Sequence, residues 1–480
     1  MTPAEFRRAG HELVEWIAAY RERLAAGDVP VQAQQRPGGL IARLPAAAPE
    51  QPEPWETILR DLENLILPGI THWQHPRFFG YFPTGGSLAG VLGDMLSTGL
   101  GVIGLNWQAA PALTELEQVT TDWARDLLGL PREFAGVIQD TASAASFVAL
   151  VSARERTSAY AAAGPGLQDG GAPLIVYTSA HAHSSIEKAA LLAGFGREHV
   201  RPIEVDGEYR LRVAALETAI ARDREQGRRP CAVVATTGTT ATTAMDPVGA
   251  IAEVARREQL WLHVDGAMGG AAMLLPEFRR YWEGVESADS IVINPHKWLS
   301  VSFDCSLYYV RDPQHLVRVM STNPSYLQTP VDREVRNYRD WGIPLGRRFR
   351  ALKLWLTLRT HGAEAMRLRL RRDLENARVL AQLIERTPPW RCVAPVRLQT
   401  VCVRHEPAGI TGEQLDTHTR RWTQSVNDSG RAYLTPAWVE GRWLTRVSIG
   451  SELTERRHVE ELWEVMRSAA GESAARAAPG

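Results

Sequence analysis

The 480-residue sequence contains only four cysteines, Cys231, Cys305, Cys392 and Cys402, and no C-x-x-C pair. So few thiols in so long a chain exclude a disulfide framework and point to a reducing, cytoplasmic setting. No run of about 18 apolar residues occurs, so no membrane span is expected. The opening residues, Met1 to Arg8, lack the apolar core of a signal peptide. An excess of charge of either sign is also missing. Lys and Arg total 54 against 55 Asp and Glu, so no nucleic-acid partner is implied. There is no internal repeat. Lysine itself is scarce, with three residues, while arginine is abundant.

What is present reads as a globular protein. Hydrophobic residues make up 44% and charged residues 23%, a normal balance, and the length suggests about three domains. Only the Ala/Gly/Ser-rich stretch 471–480 reads as disordered. The first element is a helix. Thr2 can cap it, Pro3 suits its first position and Glu5 completes a capping box. Its apolar stripe is Phe6, Leu13, Ile17, Tyr20 and Leu24. A Pro/Gln/Gly-rich connector covers 29–54, and a second helix is expected over 55–65. Neither helix has a large partner nearby in sequence. Docking onto a second subunit and packing on their own chain are both open.

From about 136 to 310, strands and helices alternate. Strands are expected at 136–139, 174–177, 200–205, 232–236, 260–264, 290–293 and 307–310. Helices are expected at 144–160, 184–193, 214–224 and 248–258. Short apolar strands joined by helices imply an α/β fold with a mainly parallel sheet covered on both faces. Such sheets bind ligands at the carboxyl ends of their strands. A long helical stretch, 349–386, follows. Short strands around Val401 and Tyr433 and at 444–449, with a last helix near 459–468, make a smaller α+β domain.

Several strand ends carry reactive side chains. The segment 290–298 ends in Asn294-Pro295-His296-Lys297-Trp298. A lysine at the end of a buried strand can be desolvated, which frees its amine for a Schiff base. The segment 260–267 ends on Asp265, followed by Gly266 and Ala267. A lone Asp there is usually a cap or an ion-pair partner. Beside a strand-end lysine it suits a cofactor that needs an anion at a ring nitrogen. Thr141, Ala142 and Ser143 follow another strand and open a helix, where a phosphate could meet backbone N–H groups. Taken alone, that segment reads as a plain helix cap. His181 and His183 lie after a fourth strand. With no third ligand evident a metal is discounted, and a ring stacked on a flat cofactor is the alternative. Gly99, Gly101 and Gly104 match G-x-G-x-x-G but do not clearly follow a strand, so a dinucleotide site is not supported.

Together, Asn294-Pro295-His296-Lys297-Trp298, His263-Val264-Asp265 with Ala267, and Ala182-His183-Ser184-Ser185 resemble the pyridoxal 5'-phosphate (PLP)-dependent group II decarboxylases. Within that group the sequence is most similar to the aromatic L-amino-acid decarboxylases. The likeness runs nearly end to end. It includes Pro68 to Trp73, Tyr81 to Thr84, Thr114 to Glu117, Phe303 to Ser306 and Ile343 to Arg350.

The resemblance implies a fold-type I PLP enzyme in three parts. Residues 1–86 would be a helical arm on the partner subunit, 87–366 the large PLP-binding domain, and 367–480 the small domain. It implies a cytoplasmic homodimer with shared active sites. Lys297 would bind PLP covalently, Asp265 would meet the pyridine nitrogen, and His183 and Ala267 would lie on opposite ring faces. Thr141, Ala142, Ser143, Asn294 and His296 would hold the phosphate, with Thr240 near the cofactor. Thr84, Ile103, Leu105 and Gly346 would line the substrate pocket. Tyr326 would be a mobile-loop proton donor, together with His183. Relatives that form aldehydes tend to lack the loop tyrosine or the stacking histidine, and both stand here. Gly346 matches a position where relatives acting on indoles, or broadly on aromatics, carry Gly.

The expected reaction is decarboxylation of aromatic L-amino acids, with tryptophan-type substrates favoured. The alternatives are an aldehyde synthase, a decarboxylase of histidine or another amino acid, or an inactive scaffold. Departures from the animal enzymes stand at Leu105, Asp140, Thr141, Gly266 and Met268, and bear on substrate preference.

Overall fold

The computed structural model describes residues 1–477 except Gln34, Pro83, Asp169 and Asn323, with the side chains of Tyr326, Arg476 and Ala477 also outside the description. The chain divides into two compact units. One comprises Met1–Pro83, Glu375–Val393 and Val401–Gly480; the other comprises Thr84–Leu374 and Ala394–Thr400.

In the first unit, helix α1 spans Pro3–Ala26 and α2 spans Trp55–Asp61. The α1 start is the expected capping box. Thr2 Oγ1 accepts from Glu5 N at 3.3 Å, and Thr2 N donates to Glu5 Oε2 at 2.6 Å. The only residues of α1 that are buried are Ala9 and Leu24. The expected second helix continues past Asp61 as a wider turn over Leu62–Ile66.

The second unit holds the large sheet. Its strands are β1 Ala135–Gln139, β2 Leu174–Ser179, β3 Val200–Ile203, β4 Arg229–Thr236, β5 Trp261–Asp265, β6 Ser290–Ile293 and β7 Ser306–Val310. The spatial order is β1-β7-β6-β5-β4-β2-β3. Strands β3, β2, β4, β5 and β6 pair in parallel. β7 runs antiparallel to both β6 and β1, so β1 has the same direction as β6. The sheet is thus mainly parallel, as the alternating pattern predicts. β1, β2, β5, β6 and β7 are buried along their whole length, which explains their continuous apolar runs.

Seven helices accompany this sheet: α3 Leu88–Leu100, α4 Pro111–Leu128, α5 Ala142–Thr157, α6 Ser184–Leu192, α7 Val213–Glu225, α8 Val248–Arg257 and α9 Pro313–Met320. α5 packs Leu150 and Ala153 against Val176, Val234 and Trp261, and Val148 and Ala149 against Val137, Val292 and Tyr308. Helices α3 and α4 fall in a region where the sequence pattern predicts no element. The apparent dinucleotide motif lies at the end of α3. Gly101 adopts φ 64° as its cap, a left-handed conformation that glycine accepts at no steric cost.

Helix α10, Ala351–Glu385, matches the expected stretch but is broken at Gly362, where φ is 70° and ψ is 158°. Four strands complete the fold: β8 Trp390–Cys392, β9 Thr400–His405, β10 Thr435–Val439 and β11 Arg442–Ser448, in the order β10-β11-β9-β8. Helix α11, Gly412–Asp428, connects β9 to β10, and α12, Arg456–Ala477, follows β11. The strand expected around Tyr433 begins at Thr435, and Tyr433 itself makes a single bridge to Phe78. No helix among the described residues is long and apolar enough to cross a membrane.

Candidate active site

Because β1, β2, β4, β5 and β6 run the same way, their carboxyl ends share one edge of the sheet. Thr236 of β4, Asp265 of β5 and Val292 of β6 are register neighbours. The loops carrying Thr141 to Ser143, His183, Thr240, Ala267 and Asn294 to Lys297 all leave this edge.

Asp265 is 5% exposed. Its Oδ1 accepts the Ala267 N–H at 3.0 Å, and Gly266 N donates to Val292 O at 2.9 Å. A Cβ on Gly266 would lie 3.0 Å from Trp282 Cζ2 and 3.1 Å from Val292 O. Gly266 therefore belongs to the packing beneath the strand end. Two residues before Asp265, and so on the same face, His263 is fully buried between Ser146 Oγ at 3.3 Å and Ser290 Oγ at 2.9 Å. Burial pushes its imidazole down to about 4, against the opposing pull of Asp265.

The lysine turn is tied to the same loop. Asn294 N donates to Ala267 O at 3.2 Å, and Lys297 N to Asn294 O at 3.0 Å. Lys297 is half-buried. His183 senses both groups: burial does most to hold its imidazole below the ordinary value, the Lys297 cation adds to this, and Asp265 opposes it. His183 also caps α6. Its Nδ1 accepts the Ser185 N–H at 3.1 Å and lies 2.8 Å from Ser185 Oγ. Accepting there leaves the neutral ring's proton on Nε2.

The third part is an anion cup. Thr141 caps α5, its Oγ1 accepting from Ala144 N at 3.3 Å, and Ala142 and Ser143 form the first turn. Thr141 N donates to Asp140 Oδ1 at 2.8 Å. His296 is buried, and its Nδ1 accepts the Cys305 N–H at 2.9 Å. Burial, then the adjacent Lys297, pushes the His296 imidazole down to about 3, so it stays neutral with its proton on Nε2. Ser306, which the sequence assigns no role at the site, joins the two halves. Its Oγ donates to Asn294 Oδ1 at 2.8 Å and lies 3.3 Å from Asp140 O. Thr240 sits half-buried on the loop after β4. That loop is pressed on the segment after Asp265: Gly238 has φ 89°, and a Cβ there would be 2.8 Å from Gly269 N.

This donor set fits PLP. The amino end of a 16-residue helix with small side chains suits a phosphate, the buried Asp265 suits a protonated ring nitrogen, and Lys297 supplies the amine.

A separate wall forms around Gly346. A Cβ there would lie 3.4 Å from Ile103 Cγ2, and Gly104 N donates to Arg347 O at 2.9 Å. Arg347 pairs with the buried Glu117 at 2.6 Å and also donates to Ile138 O at 2.7 Å. The pair braces this wall against β1, another link invisible in the sequence. Ile103 is 60% exposed, while Thr84 and Leu105 are half-buried. The side chain of Tyr326 lies outside the described residues; its backbone is in the short turn Ser325–Leu327. Among the described residues, no three His, Cys, Asp or Glu side chains are grouped as for a metal ion.

Residues 37–406 match the family model described as the pyridoxal-dependent decarboxylase conserved domain. The chain is 41% identical to tyrosine decarboxylase 4 of Petroselinum crispum, covering 97% of this chain and 93% of that one. It is 39% identical to the phenylacetaldehyde synthase of Arabidopsis thaliana, covering 98% and 96%. Among solved structures it is similar to Oryza sativa TDC with PLP and tryptamine, with TM-score 0.94, 36% identity, and coverage of 98% and 99%.

Proposed function

The chain belongs to the family of pyridoxal-dependent decarboxylases, and on that premise we propose that it decarboxylates aromatic L-amino acids to arylalkylamines, with indole substrates preferred. The observation that carries this is the strand-end cluster: buried Asp265 and the strand-end Lys297, both acting on the His183 imidazole, beside the α5 cup. PLP, when bound, supplies the electron sink for loss of CO2.

The residues have distinct tasks in this reading. Lys297 would hold the cofactor through its side-chain amine. The Asp265 carboxylate would keep a proton on the ring nitrogen, and its burial would strengthen that pairing. His183 and Ala267 would cover the two ring faces. Ala142, Ser143, Asn294, His296 and Thr141 would hold the phosphate through neutral hydrogen-bond donors and the amino end of α5, and Thr240 would lie beside the cofactor. The Cα–carboxylate bond breaks, CO2 leaves, and a proton must reach Cα. Tyr326 and His183 Nε2 are the donors assigned to it. The wall of Thr84, Ile103, Leu105 and Gly346 receives the side-chain ring, and the small Gly346 leaves room for an indole.

The working unit is a cytoplasmic homodimer. α1 buries only Ala9 and Leu24, and α3 exposes Leu88, Leu92, Met95, Leu96 and Leu100. A second copy would cover these faces. In this division 1–86 is the arm on the partner, 87–366 the large domain and 367–480 the small one. A pocket completed by the partner also accounts for the exposed Ile103.

The second reading is an aldehyde synthase, favoured by the phenylacetaldehyde synthase relative. Retention of Tyr326 and His183 supports amine formation instead. Product analysis decides between them. Purified enzyme given tryptophan, tyrosine, dopa, phenylalanine and histidine should yield amine and CO2, with the highest kcat/KM for tryptophan. Aldehyde, ammonia and peroxide as the main products would establish the second reading.

A further inference from the structure

A cavity of about 550 Å³ lies at the opposite edge of the large sheet from Lys297. That volume is typical of small-molecule sites, which span roughly 300–1,000 Å³. It opens where β4 and β5 begin and β7 ends. β4 alone has eight residues, and at a rise of about 3.3 Å per residue it separates the two edges by roughly 23 Å. The cavity is therefore not an extension of the catalytic pocket.

Its lining is strongly biased in charge. Five arginines, Arg156, Arg224, Arg229, Arg256 and Arg311, face two carboxylates. Both carboxylates are already engaged. Asp289 binds Arg156 at 2.6 Å and Arg311 at 3.1 Å, and also accepts the Leu262 N–H at 2.8 Å. Glu258 pairs with Arg224 at 3.1 Å and with Arg257 at 3.2 Å. Arg229 and Arg256 are exposed and have no carboxylate partner among the described residues.

Part of this charge has a plain structural role. Arg156, Arg224 and Arg256 stand in the last turns of α5, α7 and α8, where a cation offsets the helix dipole. Each helix end contributes about −0.5 of a charge. Three ends and two carboxylates thus leave roughly +1.5 against five guanidinium groups. Arg229, the first residue of β4, and Arg311, just after β7, serve no helix end. The floor beside them is apolar, formed by Leu260 and Leu262.

We propose that this arginine-lined cavity binds a small anion bearing two or more linked phosphate groups. Several guanidinium forks around one half-open cavity match phosphate oxygens in geometry and charge. The apolar floor can take an attached ring.

The test uses PLP-loaded enzyme, so that the cofactor occupies its own phosphate cup. Pyrophosphate and ATP are titrated in separately by calorimetry, at low and high salt. Expected is one saturable event per chain that weakens with salt, with Kd raised at least about tenfold in the Arg229→Ala/Arg256→Ala double variant. Without added anion that variant should decarboxylate at the wild-type rate. Equal binding of the two ligands assigns the site to the phosphates alone; much tighter ATP assigns it to a nucleotide. Absence of binding by both ligands, or unchanged binding in the double variant, overturns the proposal.

Discussion

The Ser306 hydroxyl donates to Asn294 Oδ1 at 2.8 Å. This single bond joins the antiparallel strand β7 to the turn that carries Lys297, and it leaves the Asn294 amide N–H₂ as the free donor end. Ser306 Oγ also reaches Asp140 O, beside the start of α5, so both halves of the phosphate cup depend on one hydroxyl. Ser306→Ala should therefore weaken PLP binding. Loss of one buried hydrogen bond costs about 1–1.5 kcal/mol, or roughly five- to tenfold in Kd. At saturating PLP, kcat should change little. Fluorescence titration of apoenzyme with PLP measures the first effect and steady-state kinetics the second.

Lys297→Ala should abolish turnover and the visible absorbance of covalently bound cofactor. Borohydride reduction of the wild-type enzyme, followed by digestion and mass spectrometry, should place the pyridoxyl group on the peptide containing Lys297. A label on Lys353 or Lys188 would displace Lys297 from its role.

His263 gives a pH signature. Burial pushes its folded-state value down to about 4, while an unfolded imidazole titrates near 6.5. Below about pH 6.5 the unfolded chain takes up a proton that the folded chain refuses. Stability is therefore full at neutral pH and falls on acidification toward 4. At pH 5 this one residue should cost about 2 kcal/mol. Urea unfolding at pH 7 and pH 5 should show the loss, and His263→Gln should flatten the dependence by about that amount.

Tyr326→Phe should lower amine formation and divert turnover toward aldehyde, ammonia and peroxide, with oxygen consumed. Without its proton donor, the carbanion equivalent at Cα persists long enough to meet oxygen. Amine production at the wild-type rate with no oxygen uptake would remove Tyr326 from the mechanism.

Gly346→Ser should move preference from tryptophan toward tyrosine or histidine. The new Cβ would stand 3.4 Å from Ile103 Cγ2, so the hydroxymethyl takes space from the ring and adds a polar group to an apolar wall. A change of this size is worth about 1–3 kcal/mol, or roughly 10- to 200-fold in the ratio of kcat/KM values. The ratio for tryptophan over tyrosine reads it directly.

Much of the catalytic edge was legible before folding is considered. β6 falls on residues 290–293 as expected, and β4 and β5 end within one residue of their expected ends, on Thr236 and Asp265, because a strand buried on both faces needs an unbroken apolar run. Helices α3 and α4 were not legible. α3 has a mixed apolar and glycine-rich surface, and the spacing of Gly99, Gly101 and Gly104 drew attention to a ligand motif instead of a helix stop.

By itself the sequence determined the parallel strand–helix alternation and the placement of Lys297 and Asp265 at strand ends. These depend on local apolar pattern and on which residue follows a strand, both properties of neighbours in the chain. Only the tertiary structure decided that β7 runs backward to bring Ser306 against Asn294, that Glu117 and Arg347 brace Gly104 against β1, and that Gly346 faces Ile103. It also decided that a chain with nearly balanced total charge gathers five arginines around one cavity. Total charge is a sum over the chain, but a side chain responds to charges within about a Debye length, roughly 8–10 Å. Which groups fall within that radius is set by folding, not by order along the chain.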